Sequence, residues 1–213
     1  MLIPAVFAEH RGGSLLVSFP DVGETIPSHR GGIPFQEAVG LLPCGESRGV
    51  AVVSDMDSLR SGEFEEGVVK SMRIRGSDIW FMTCIRDADD LMDAFNTTAD
   101  MILAPMHLIS GEDDARDIVS ISDSVIPVVF ASKNGVMHGR WDVSGVRDAA
   151  TRLESLGFCR ICVLDADGSV GRDDWIWIAD QFPSAVPFVS DPSAVDGCGF
   201  RDAISPLRRT SPR

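Results

Sequence analysis

Two aspartates stand one residue apart at the end of an apolar run in "VVSDMDSLRSG", residues 52–62. The same D-x-D recurs in "CVLDADGSVGR", which lays Asp165 and Asp167 over Asp55 and Asp57. Carboxylates are costly to bury unless paired or hydrogen-bonded, so their place at the end of an apolar run indicates a strand opening onto a polar rim. Carboxyl groups with separable pKa values can act as general acid and general base. They can equally accept backbone N–H bonds within the turn after the strand. Both readings stand at this level.

Composition limits the partners. The chain has 213 residues, a net charge of −13 and a pI near 4.6. That balance argues against nucleic acid or an anionic membrane as the main partner, since both attract a basic face. No apolar run approaches the roughly 18 residues of a membrane span, and "MLIPAVFAEH" lacks the basic leader of a secretory signal. Five cysteines at irregular spacing do not form a disulfide framework. Cys159 and Cys162 make a lone CxxC without a second pair at zinc spacing, and no His pair has metal spacing. The expectation is a cytoplasmic protein with no metal and no cofactor.

The elements that must position the aspartates are set by periodicity. Strand-length apolar runs occur at 3–8, 49–54, 78–83, 101–105, 126–131, 160–165 and 186–190, with helix candidates at 35–42, 63–73, 87–96, 112–122, 143–156 and 173–182. In 143–156, Val146, Ala149, Ala150, Leu153 and Leu156 share one helix face. Alternating strands and helices predict a parallel sheet, and strands apolar throughout predict one covered on both faces.

Repeats choose between an open sheet and a barrel. "IPAVFAEHRGG" (3–13) and "IPVVFASKNG" (126–135) share I-P-x-V-F-A, placing Phe7 over Phe130 at an offset of 123 residues. Each is followed by a Gly-containing turn, a second short piece and a helix. The D-x-D pairs repeat at an offset of 110. Two matches in the same order predict a single (βα)8 barrel built from half-barrels, 1–124 and 125–213, with a shortened last quarter. Seven strands are legible; the end is expected to be open or completed by a second copy of the chain.

The duplicated I-P-x-V-F-A and the D-x-D after the second and sixth strands resemble the histidine-biosynthesis barrels. That family holds the phosphoribosylformimino-aminoimidazole-carboxamide ribotide isomerase and the cyclase subunit of imidazole glycerol phosphate synthase. "VVSDMDSLRSGEFEEGVVKSM" is most similar to an archaeal isomerase-like branch. "CIRDADDLMDAFNTTADMILAP" resembles the family's third turn, helix and fourth strand. The resemblance implies a small anionic, phosphorylated ligand held on the rim at the carboxyl ends of the strands. Asp55, Asp57, Arg86, Asp165 and Asp167 are the binding candidates it points to. Glu9, Asp55 and Asp165 are the candidates to handle protons.

The chain also departs from that pattern. The family's isomerases carry an aspartate at the ends of strands one and five, where this chain has Phe7-Ala8 and Phe130-Ala131. Thr83-Cys84 replaces the glycines after strand three, and Ala104-Pro105 stands after strand four, where proline donates no N–H. Two readings therefore remain: a relative that binds a small anion without the ancestral sugar isomerisation, and an active isomerase or lyase using rim carboxylates. Lys133, His107, His138 and the "HRGG" repeats at 10–13 and 29–32 read better as turn, surface or core residues.

Overall fold

The computed structural model describes every residue except 30–31, 43–48, 65–76, 98 and 209–213. Its strands are β1 (Leu2–Arg11), β2 (Ser14–Ser18), β3 (Ile33–Pro34), β4 (Gly49–Asp55), β5 (Ser77–Met82) and β6 (Met101–Pro105), then β7 (Val125–Ser132), β8 (Gly135–Val136), β9 (Cys162–Asp165), β10 (Val186–Phe188) and β11 (Ala203–Pro206). The helices are α1 (Phe35–Val39), α2 (Met56–Ser61), α3 (Ala88–Phe95), α4 (Glu112–Ile121), α5 (Val146–Ser155) and α6 (Arg172–Gln181).

Eight strands pair in parallel around a ring, in the order β1, β4, β5, β6, β7, β9, β10 and β11. The ring closes where β11 pairs β1 in parallel, Leu2 opposite Ala203 and Ala5 opposite Pro206. This is the (βα)8 barrel that the alternating pattern predicts. It corrects the expected ending. The barrel is not left open at the seventh strand, because the four residues of β11 supply an eighth and pair with β10 as well. What is shortened is the seventh helix, reduced to a one-turn 3-10 segment at Pro192–Val195. A strand of four residues preceded by Pro192, Gly197 and Gly199 carries too little apolar run to stand out in a sequence.

Side chains alternate between two apolar layers, as the pleat requires. Ile3, Ala5 and Phe7 of β1 join the inner cluster with Leu103, Phe130 and Phe188. Val6 and Ala8 join the outer cluster, packed with Leu91, Ile118, Leu153 and Ile178 from the helices. Phe7 stacks on Phe188 across the inside, ring centroids 6.1 Å apart. The α5 face read from the sequence is the one buried, through Ala149, Ala150 and Leu153. The helix expected over 63–73 lies largely outside the described residues. A short helix missed by periodicity, α2, starts directly on β4. Trp175 is buried at 1 % exposure, whereas its neighbour Trp177 is only partly covered.

The repeated I-P-x-V-F-A runs produce the same device twice. Each barrel strand extends beyond the ring and folds back as a hairpin, β1 into β2 and β7 into β8. Gly12 and Gly13 make the first turn at φ 58° and 79°, values a two-residue hairpin loop needs and L residues avoid. The "HRGG" at 10–13 is thus a hairpin turn. In both cases the returning strand lies on the edge away from the next D-x-D strand.

Because Phe7 is fully buried and stacked, Phe7→Ala should lower stability by about 3–5 kcal/mol, the usual cost of removing a core ring. A urea melt followed by tryptophan fluorescence measures it.

Candidate functional site at the carboxyl end of the barrel

The first aspartate of each pair ends a ring strand and turns into its own loop. Asp55 is the N-cap of α2: Oδ1 accepts from the N–H groups of Asp57 at 3.1 Å and Ser58 at 3.2 Å. Its Oδ2 accepts from the Ser58 hydroxyl at 2.7 Å. Asp165 does the same at β9, accepting from the N–H of Ser169 at 2.9 Å and of Val170 at 3.2 Å. The two strands lie four places apart in a ring of eight, hence on opposite sides of the mouth. Burial pushes the Asp55 carboxyl above its ordinary pKa, opposed mainly by the Ser58 hydrogen bonds and assisted by the nearby charge of Asp57.

The second aspartate of each pair reaches sideways to a hairpin. Asp57 accepts from the N–H of His10, at 2.5 Å, in the β1–β2 hairpin. Asp167 accepts from the N–H of Lys133, at 3.1–3.2 Å, in the β7–β8 hairpin. His10 to Lys133 is an offset of 123 and Asp57 to Asp167 one of 110, the same two offsets that relate the sequence repeats. The Lys133 N–H is the first cause holding the Asp167 carboxyl below its ordinary pKa, against a smaller opposing effect of burial.

Glu9 points to the same face of β1 as Phe7 and is buried at the mouth, 2 % exposed. Its Oε2 accepts from Arg60 Nη1 at 2.7 Å and its Oε1 from the Ser18 hydroxyl at 3.3 Å. Arg86, at the carboxyl end of β5, donates from Nε and Nη2 to the two carboxyl oxygens of Asp90 at 2.7 and 3.0 Å. Burial pushes Asp90 up, but the hydrogen bonds and charge of Arg86 outweigh it and hold the carboxyl below its ordinary pKa. The nearby Cys84 thiol is pushed up to about 11, first by burial and then by the Asp90 charge, so it is no nucleophile at neutral pH.

The structure therefore does not bring the candidate carboxyls together around one point. It distributes Asp55, Asp57, Asp165 and Asp167 over four separate backbone clasps and sets Glu9 and Arg86 in two ion pairs. Sequence reasoning named one member of each pair and missed the other. Asp90 stands at i+4 from Arg86, and Ser58 stands three residues after Asp55, the spacing of a helix cap; both signals were present. Nothing local marks Arg60 as the partner of Glu9, 51 residues away. His107, after β6, sits edge-on to Phe130 with centroids 4.9 Å apart and is held neutral, its pKa lowered to about 4 by burial. Among the described residues no group of three or more His, Cys, Asp or Glu is arranged to hold a metal.

These partners set two expected outcomes. Asp55→Ala removes a cap and leaves buried donors unpaired, and should cost about 1–2 kcal/mol in a denaturant melt. His107 has a folded pKa below its unfolded one, so its contribution is complete above about pH 6.5 and is lost as pH falls toward 4. His107→Gln should flatten the stability profile in that window.

No family model matches this chain, and no curated protein matches it. Among solved structures, the HMG-CoA lyase from Brucella melitensis superposes with a TM-score of 0.50 at 14% identity, over 81% of this chain and 73% of that one. At that identity the likeness is one of fold: the chain is an α/β protein of the TIM-barrel class.

Proposed function

We propose that this chain is a barrel of the histidine-biosynthesis type that binds a small anionic, phosphorylated metabolite and no longer carries out the ancestral sugar isomerisation. The observation that carries this reading is the pair Phe7 and Phe130. At the two strand ends where the resemblance implies the acid and the base, both side chains belong to the inner apolar cluster. Neither can move a proton, and the neighbouring carboxyls are engaged by N–H groups or by Arg60. For the anion, Arg86 is the candidate donor. Its side chain is 42% exposed, and Asp90 takes Nε and Nη2, so Nη1 is the edge an anion would meet.

The alternative, an active isomerase or lyase on a phosphorylated sugar-like substrate, is favoured by one feature: the raised pKa of Asp55, the direction a general acid needs. The proposed barrel is one domain of two half-barrels, 1–124 and 125–213, with Asp57 and Asp167 clasping equivalent hairpins. The protein is placed in a reducing cytoplasm, in keeping with the free Cys84, Cys159, Cys162 and Cys198. Nucleic acid and membrane are left out by the charge, and among the described residues no helix is long and apolar enough to cross a membrane. A second copy covering the shortened C-terminal quarter is the macromolecular partner proposed, against the surface depression over the paired β1 and β11 that Leu2, Pro4, Ser205, Leu207 and Arg208 line.

Purified protein should not isomerise the aminoaldose of the histidine pathway, since loss of a general acid or base typically costs 10²–10⁴-fold. Turnover abolished by Glu9→Gln or Asp55→Asn would instead establish the alternative. In calorimetric titrations with ribose 5-phosphate, Arg86→Ala should weaken binding about tenfold or more, the value of a lost charge-assisted hydrogen bond. Unchanged affinity would remove Arg86 from the site.

A further inference from the structure

The chain between β2 and β3 does not return by the shortest route. Residues 19–29 cross the carboxyl end of the barrel, with Phe19 packed on the outer cluster and Pro20 and Pro27 buried, and three further contacts hold them there. Thr25, fully buried, donates its hydroxyl to the carbonyl of Asp165 at the end of β9, and its N–H to the carbonyl of Ala166 at 3.3 Å. Ile26 packs against the inner cluster of the barrel, over the mouth. Arg208, just beyond β11, donates from Nη1 to the Asp21 carbonyl at 2.6 Å and from Nη2 to the carbonyls of Glu24 and Ser190, both at 3.2 Å.

The crossing segment is a compact turn in its own right. The Glu24 N–H donates to the Asp21 carbonyl at 3.1 Å, the Asp21 N–H to the Glu24 carboxylate at 3.3 Å, and Gly23 takes a φ of 91°. Val22 at its tip is 96% exposed. A turn closed on itself and fastened to its support by a handful of bonds is a unit that can leave the surface whole, without unfolding the ring beneath.

We infer that residues 19–29 form a gate over the barrel mouth and that Arg208 is its latch, so that the interior face of β9, β10 and β11 becomes accessible only when the guanidinium releases Asp21 and Glu24. The latch depends on the shape of guanidinium. One planar fork reaches the gate through two carbonyls and the body of the barrel through Ser190, a span that a single ammonium cannot reproduce. Thr25 is the second fastening, at strand six rather than at strands seven and eight. The latch couples the last strand of the ring to a segment that comes after its first hairpin, and this holds whatever ligand the mouth accepts.

Amide hydrogen exchange read by mass spectrometry tests the gate without any ligand. In Arg208→Ala, exchange in peptides covering 19–29 should accelerate about tenfold or more, as expected for loss of hydrogen bonds to a charged group, while peptides from β4 to β7 keep their wild-type rates. Arg208→Lys should accelerate the same peptides, and Thr25→Val should do so independently. Binding of 8-anilino-1-naphthalenesulfonate should rise in step with the exchange rate across the three variants. Unchanged exchange at 19–29 in Arg208→Ala overturns the latch, as does acceleration shared equally with β4 to β7. Local acceleration with no gain in dye binding overturns the gate.

Discussion

A closed parallel sheet exists only if its last strand finds its first. Here that requirement falls on four residue pairs, Leu2–Ala5 against Ala203–Pro206. Every other feature of the barrel presupposes them: without β11 the N–H and C=O groups on one edge of β1 and β10 would be unpaired, and the inner cluster would open along Ile3, Phe188 and Ile204. Buried backbone groups left without partners cost as much as lost hydrogen bonds, so a short strand here outweighs a long helix elsewhere. The seventh helix position holds a single 3-10 turn, whereas the eighth strand is paired on both sides.

The same economy of partners explains the rim. Carboxyl groups at the carboxyl ends of barrel strands lie where substrates are usually handled. In this chain each is already bonded to protein. Asp55 and Asp165 end the second and sixth ring strands by bonding the backbone of their own loops; Asp57 and Asp167 tie those loops to the hairpins into which the first and fifth strands extend. The two D-x-D segments thus repeat a side chain's job as well as a strand's position. That a rim carboxylate can be structural in one barrel and chemical in another is why the fold by itself names no reaction.

The extent to which this was legible varied with the range of the interaction. The parallel class and the repeat showed in the strands, because continuous apolar runs such as 126–131 are what two covered faces demand. The helices with a one-sided stripe, such as α5, also showed. The eighth strand did not, since "AISP" is too short and too close to glycines to register as a run. Nor did the Glu9–Arg60 pair or the reach of Arg208 to Asp21, because nothing in local spacing connects residues 51 or 187 positions apart. Asp57 and Asp165 were placed at a rim by their residue type, but whether each faced a substrate or a backbone amide was decided by neighbours the local pattern does not contain.

The edge of β1 opposite β4 is shared by two strands. Phe7–Arg11 takes β2 and Leu2–Ala5 takes β11, so half of it is covered by a hairpin only a few residues downstream and half by a strand about two hundred residues later. During synthesis at about 5–20 residues per second, the second half waits on the order of 10–40 s for its partner. An unpaired edge exposed that long is a template for pairing with another chain. The carbonyls of Met1 and Ala5, which in the closed ring accept from the N–H groups of Ala203 and Leu207, lie on that waiting edge.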